Sequence, residues 1–183
     1  MLKRYEKFLE ELDKELRGYF LEHKEYIKCK KGCTDCCEKG EYPFSRLEAE
    51  YLMYGFLDLP KDIKSEIRKN ITDLKNAKQN SKAERFLYKC PFLIDKSCTL
   101  YERRGIVCRT FGLAYLKSDE TINLPNCTNQ GLNYAQVFNP ETKEISLDNP
   151  IKKELTIDKI LRSNLAEKYE LECGEIRPLI DWF

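Results

Sequence analysis

The sequence KCKKGCTDCCEKG, residues 28–40, places four cysteines within nine positions. They are Cys29, Cys33, Cys36 and Cys37, and the last two are adjacent. Cys33 and Cys36 form a C-x-x-C pair, a spacing that lets a short loop turn both thiolates toward one metal. The chain is long enough to build its own core, so this density of thiols favours metal ligation over structural disulfides. We therefore expect this stretch to bind a metal and to organise the chain around it.

The remaining cysteines extend the candidate ligand set. Side chains of adjacent residues tend to diverge, so Cys36 and Cys37 are expected to point toward different metals. Cys173, near the end of the last predicted helix, is interpreted as a structural thiol, and His23 as an exposed or core-edge residue. The other cysteines lie outside the predicted helices and suffice for two four-thiolate sites, with these candidate ligands: Cys29, Cys33, Cys36, Cys37, Cys90, Cys98, Cys108 and Cys127.

Composition excludes several classes of function. The 183 residues carry 32 basic and 31 acidic side chains, a formal net charge of +1, with no basic run interleaved with aromatics. Nucleic acid is therefore not an expected partner. The N-terminus has no apolar signal-peptide core, and no stretch approaches the roughly 18 apolar residues of a membrane span. We expect a cytoplasmic protein without a membrane partner, whose thiols stay reduced.

Apolar residues at spacings of three and four predict four helices. The second helix has a capping box, because Ser45 is followed three residues later by Glu48. Gly174 is expected to terminate the last one. The predicted helices cover residues 2–26, 46–56, 61–78 and 156–172.

The centre of the chain has a different pattern. Short apolar pieces between turn residues predict a hairpin or irregular loops, with a short helix near residues 101–108, and then turns with one small hairpin over 117–150. The closing EIRPLIDWF, residues 175–183, is too apolar for a solvated tail and is expected to dock on the helices. The expected fold class is mainly α with a small irregular or β central region. We expect a compact single domain over residues 1–183, organised around a cysteine-ligated metal centre.

Basic residues accompany the cysteines. Four thiolates around a divalent ion leave about two net negative charges, which need nearby cations or N–H donors. Arg104 and Arg109 are expected to stabilise the centre or to receive a small anionic ligand, because guanidinium groups bind carboxylate or phosphate bidentately. The basic residues within a few positions of a cysteine are Lys28, Lys30, Lys31, Lys89, Lys96, Arg103, Arg104 and Arg109.

Two other chemistries use similar spacings. Cys29, Cys33 and Cys36 match the C-x3-C-x2-C spacing of radical S-adenosylmethionine enzymes. Asp35 stands where those enzymes usually have an aromatic residue, and the alternating strands and helices of their barrel are missing. Thiol redox chemistry through Cys33 and Cys36 would require a nearby βαβ pattern, which the sequence lacks.

The motifs taken together resemble a known family. CKKGCTDCC, then CPFLIDKSCTLYERRGIVCRTF, then PNC appear in order over residues 29–127. This combination is similar to the YkgJ-like cysteine-cluster family of zinc- or iron-chelating domains. The family pattern carries over directly to Cys90, Cys98, Cys108, Arg104 and Arg109. Gly105 stands where the family usually has proline.

The resemblance implies metal chelation by these cysteines, with no settled reaction. It also implies an iron–sulfur link to similar domains in flagellin lysine methylases. Sulfur ligands suit Zn²⁺ and iron–sulfur clusters alike. The number of cysteines and the adjacent pair slightly favour an iron–sulfur cluster of the 4Fe-4S type over zinc. The alternatives are a cluster-dependent enzyme for methyl transfer or redox chemistry, acting on a protein substrate, and a structural zinc-binding interaction module.

Overall fold

The computed structural model describes residues 1–30, 32–148 and 150–183. Lys31, one of the cations expected near the thiols, lies outside these residues. Contacts group the chain into two units. The first unit consists of Met1, Lys3–Lys31 and Arg109–Leu171, and the second of Leu2, Gly32–Cys108 and Glu172–Phe183. The prediction of a single domain over the whole chain stays a prediction.

Helices dominate the regular structure, as predicted. The α-helices are α1 (Leu2–Glu22), α2 (Asp35–Glu38), α3 (Arg46–Leu57), α4 (Lys61–Gln79), α5 (Ile106–Thr110), α6 (Ile157–Leu161) and α7 (Asn164–Lys168). Short 3₁₀ helices cover Tyr101–Arg103, Asn126–Gln130 and Leu179–Trp182. Within the described residues, no helix combines the length and apolar character that crossing a membrane requires.

The β structure is confined to small antiparallel pairs. β1 (Pro43–Ser45) pairs with β6 (Ile176–Pro178), β2 (Leu93–Ile94) with β3 (Ser97–Cys98), and β4 (Tyr115–Leu116) with β5 (Ile122–Asn123). The central hairpin and the short helix near residues 101–108 were both predicted. The fold class, mainly α with a small β contribution, is confirmed.

The first unit contains the long helix α1. Its apolar stripe is buried as the periodicity predicts, and the helix ends at Glu22 rather than near residue 26. A separate core cluster in this unit consists of Ala114, Tyr134 and Ile151. The buried residues of α1 are Tyr5, Phe8, Leu9, Leu12, Leu16 and Tyr19.

His23 is buried rather than exposed or at the edge of the core, so the sequence-based prediction for this residue is wrong. Only 2% of its surface is exposed. Its ring packs 4.5 Å from the ring of Tyr19 and 5.9 Å from that of Tyr134. Neither ring nitrogen has a hydrogen-bond partner among the described residues. The physical reason is that α1 ends just before His23, so the ring follows the turn into the aromatic cluster.

We expect the stability of the protein to fall as the pH drops from 7 to 5. Burial lowers the pKa of His23, while Glu22 acts in the opposite direction. The unfolded chain then binds a proton more readily than the folded chain, so stability present above the unfolded pKa of about 6.5 is lost below it. Urea unfolding at several pH values measures this loss. The matched variant His23→Phe should flatten the decline, because the chain has one histidine; an unchanged decline would contradict the prediction.

The second unit has its own core, formed around Phe44, Phe56, Ile67, Phe92 and Leu179. The predicted capping box starts α3: the Ser45 side chain accepts from Glu48 N, and the Glu48 carboxylate accepts from Ser45 N. The apolar C-terminus docks in this unit as predicted. Leu179 and Ile180 are buried, and Trp182 Nε1 donates to the Phe44 carbonyl at 3.0 Å.

The last predicted helix is wrong in extent. Residues 156–172 form the two short helices α6 and α7 instead of one. The break is at Ser163, whose backbone is extended and whose side chain accepts from Ala166 N to start a new helix. Gly174 has a positive φ of 70° but lies beyond the end of α7, so it is not the helix terminator that the sequence suggested.

Candidate metal centre

The adjacent cysteines of the opening stretch lie in α2, a single helical turn. Their Sγ atoms are 3.8 Å apart. Two thiolates bound at about 2.3 Å to one tetrahedral zinc ion lie roughly 3.8 Å from each other. The expectation that Cys36 and Cys37 diverge is therefore wrong. Consecutive residues of a helix start about 100° apart, so helix geometry alone does not produce this contact.

Main-chain hydrogen bonds bring this pair beside the next cysteine in the sequence. Cys90 N donates to the Cys37 carbonyl at 2.8 Å. Gly40 and Tyr88 exchange two main-chain bonds, of 3.0 and 2.9 Å. The segment after α2 is therefore held against the segment that ends at Cys90.

Local structure also positions two further cysteines, Cys98 and Cys108. Leu93 N donates to the Cys90 carbonyl at 3.0 Å, and Leu93 then pairs with Cys98 across the β2–β3 hairpin. Cys108 lies in α5, and its N–H donates to the Gly105 carbonyl at 3.1 Å. A turn, a hairpin and a short helix thus each contribute a thiol within the second unit.

These thiols act on one another electrostatically. Burial, followed by the neighbouring Cys108, Cys98 and Cys36, raises the pKa of Cys90. Burial, with Cys98 and Cys36 adding to it, raises the pKa of Cys108 to about 12. The hydrogen bond with Cys37 is the main cause of the raised pKa of Cys36. The thiols are therefore protonated at neutral pH, and a metal that binds them must displace protons.

The two arginines singled out in the sequence have different surroundings. The positive charge of Arg104 acts to lower the pKa of Cys98 and of Cys108, against the larger effect of burial. Its guanidinium stacks on the ring of Tyr101 at 4.0 Å. Arg109 is 6% exposed, belongs to the first unit and donates to the Asp13 carboxylate. Arg104 is thus the arginine that acts on thiols, while Arg109 is engaged by a carboxylate of α1.

Tyr42 is a neighbour of the thiols that the sequence did not indicate. It is buried, and its hydroxyl donates to the Tyr88 carbonyl at 3.2 Å. Burial raises the pKa of this hydroxyl, and Cys90 and Cys37 add to the effect. No motif or spacing marks Tyr42, because its position depends on a backbone with a φ of 50° that turns the ring inward.

The remaining candidate ligands are placed elsewhere. Cys33 is exposed, and its thiol donates to Asp35 Oδ2 at 3.5 Å. Cys29 and Cys127 belong to the first unit, where Cys127 is buried. Asn133, also missed from sequence, is 1% exposed and donates to Cys29 Sγ at 3.2 Å. Cys173, interpreted as structural, is partly buried in the second unit, and its carbonyl accepts from Leu47 N.

Comparison with known protein families places the cysteine motifs in a family. A family model described as "Putative zinc- or iron-chelating domain" matches residues 28–129, more than half of the chain. The chain belongs to the CxxCxxCC family. The resemblance drawn from the ordered cysteine motifs is thereby confirmed. Curated proteins and solved structures gave no match.

Thiols are a suitable ligand type for either zinc or iron in this CxxCxxCC domain, because both metals take soft sulfur ligands. The Cys36–Cys37 spacing also suits two ligands of one tetrahedral ion. Across residues 1–30, 32–148 and 150–183, no three cysteine, histidine or carboxylate side chains are close enough to hold a metal ion as they stand. Among the described residues, the Cys36–Cys37 pair is thus the part of the candidate ligand set with the spacing of two ligands.

Proposed function

We propose that this chain chelates one tetrahedral metal ion through the thiols of its second unit. Cys36 and Cys37 supply two ligands, and Cys90, Cys98 and Cys108 are the source of the others. The observation that carries the proposal is the 3.8 Å separation of the paired Sγ atoms. The mutual effect of the thiols on their pKa values supports it, since it requires them to be near one another.

The same separation favours zinc as the first metal to test. The preference for a 4Fe-4S cluster rests on the number of cysteines and stays a prediction, together with the assignment of Cys29, Cys33 and Cys127 as ligands. In a four-iron cluster each cysteine binds a different iron atom, so its sulfurs lie further apart than two ligands of one ion. Adjacent thiols in contact therefore fit a single tetrahedral ion better.

The residues around the thiols have separate tasks in this proposal. A bound metal would cross-link the segments that carry its ligands. Arg104 offsets part of the thiolate charge, as its effect on the pKa of Cys98 and Cys108 indicates. The Tyr42 hydroxyl holds the main chain at Tyr88, next to the Cys37–Cys90 bond. We place the protein in the cytoplasm, where free thiols are maintained for a metal.

Anaerobic purification followed by metal and sulfide analysis tests the proposal. We expect a colourless protein with one zinc ion per chain, and a protein without metal that takes up one Co²⁺ with thiolate-to-cobalt absorption. Iron with acid-labile sulfide and visible absorption would overturn zinc in favour of a cluster. Failure to bind zinc, cobalt or iron under reducing conditions would overturn chelation itself.

A further inference from the structure

Glu48 is a buried carboxylate that joins two segments of the second unit. It is 1% exposed. Its Oε2 accepts from the backbone N and the hydroxyl of Ser45, both at 2.8 Å. Its Oε1 accepts from Ile106 N, also at 2.8 Å. A carboxylate without water is stable only when such donors surround it.

The two segments have different relations to the thiols. Ser45 precedes α3, which carries none of the candidate ligands. Ile106 begins α5 and lies two residues before Cys108. The bond from Ile106 N to Glu48 therefore fixes the start of the short helix on which Cys108 is carried, and it satisfies one of the N–H groups that a helix leaves open at its start.

Gly105, the residue before Ile106, is tightly packed against neighbouring side chains. A Cβ atom on Gly105 would lie 3.0 Å from Glu48 Oε1 and 2.6 Å from the ring of Phe44. The main chain at Gly105 is thus in close contact with both side chains. A shift of the carboxylate would move Ile106 with it.

The charge of Glu48 acts against the thiolate form of Cys108. Glu48 contributes to the raised pKa of the Cys108 thiol, behind burial and the neighbouring thiols. A negative group there makes the thiolate form less favourable. Electrostatics alone would favour a neutral residue at this position, so the benefit of the carboxylate lies in its two-sided hydrogen bonding.

We propose that Glu48 is a positioning residue for the metal centre, which orients Cys108 by anchoring the start of α5. The inference rests on the proposed chelation by the second-unit thiols. Removing a group that does not bind the metal but orients one of its ligands typically lowers metal affinity by about 10–100-fold. Glu48 has this relation to Cys108 through the main chain.

The test compares variants of the full chain by Co²⁺ and Zn²⁺ titration. Glu48→Met keeps the side-chain length but accepts no hydrogen bond, and we expect affinity to fall by about 10–100-fold. Thiolate-to-cobalt absorption should fall by about one quarter, the share of one ligand in four. The control Ser163→Ala removes the hydroxyl that caps α7 and leaves every hydrogen bond of Glu48 in place. It should lower stability by about 1 kcal/mol and leave affinity and spectrum unchanged.

The outcomes separate this inference from the function on which it rests. A wild-type chain that binds no metal would overturn chelation. A wild-type chain that binds, with Glu48→Met within threefold of it or tighter, would overturn the positioning role alone. Tighter binding would mean that Glu48 acts through its charge. If Glu48→Met does not fold, Glu48→Gln replaces it, since an amide cannot accept at both ends; weaker binding with an altered cobalt spectrum supports the role, and wild-type binding overturns it.

Discussion

Replacing Cys36 and Cys37 together by serine is expected to weaken zinc binding by about ten-thousand-fold. Structural zinc sites with four ligands bind with apparent free energies of about 10–16 kcal/mol, or roughly 3 kcal/mol for each ligand. Two lost thiolates then correspond to a factor of about 100 each. Serine preserves size but offers a hard oxygen in place of a soft sulfur. The pair should dominate because its sulfurs already have the spacing of two ligands.

Competition between the protein and a chromophoric chelator measures this loss under anaerobic conditions. The matched control is Cys173→Ser, which removes a partly buried thiol from the same unit that is not among the candidate ligands. It should change affinity by less than about threefold, a shift of roughly 0.6 kcal/mol. Equal losses in the double variant and in this control would show that the adjacent pair is not the centre. Each single variant should show about half of the effect in free energy.

Replacing Gly105 by alanine is expected to lower the free energy of unfolding by about 2–3 kcal/mol. The added methyl group would lie 2.6 and 2.8 Å from two ring atoms of Phe44, which is 1% exposed and cannot move outward freely. A proline at this position would meet the same ring, because it also carries a Cβ atom.

Urea unfolding of four variants tests the contact: Gly105→Ala, Gly18→Ala, Phe44→Leu and the double variant. Gly18→Ala makes the same change on the exposed side of α1, where an added Cβ has nothing within 4 Å. It should stabilise the protein by about 0.5–1 kcal/mol. Combining Gly105→Ala with Phe44→Leu, which shortens the obstructing side chain, should cost less than the sum of the two single changes. Strict additivity would mean that the methyl group and the ring do not interact.

Local signals in the sequence predicted much of the fold. The buried face of α1 follows the spacing of its apolar residues, and α3 starts at Ser45 because a capping box depends on residues three apart. Both features are set within a few residues of chain. The family could be predicted for a similar reason, since the order and spacing of the cysteines are visible without any structure.

Features that depend on tertiary contacts could not be predicted in this way. The apolar spacing of residues 156–172 continues across Ser163, and only the extended backbone of that residue reveals the break. His23 is buried by tyrosines up to 111 positions away in the sequence. Tyr42 and Glu48 border the thiols through contacts between distant segments. The Cys36–Cys37 contact depends on a four-residue helix too short to leave an apolar period.

The main-chain bond from Cys90 to Cys37 and the Gly40–Tyr88 pair hold the thiol-bearing segments without using any cysteine side chain. Backbone bonds of this kind need only a backbone N–H, which every residue except proline supplies. The backbone that holds these segments therefore does not depend on which side chains bind the metal. We expect this chain to keep the same backbone pairing when the cysteine at position 37 or 90 is replaced by histidine or aspartate. Metal preference can therefore diverge by single substitutions while the architecture stays constant.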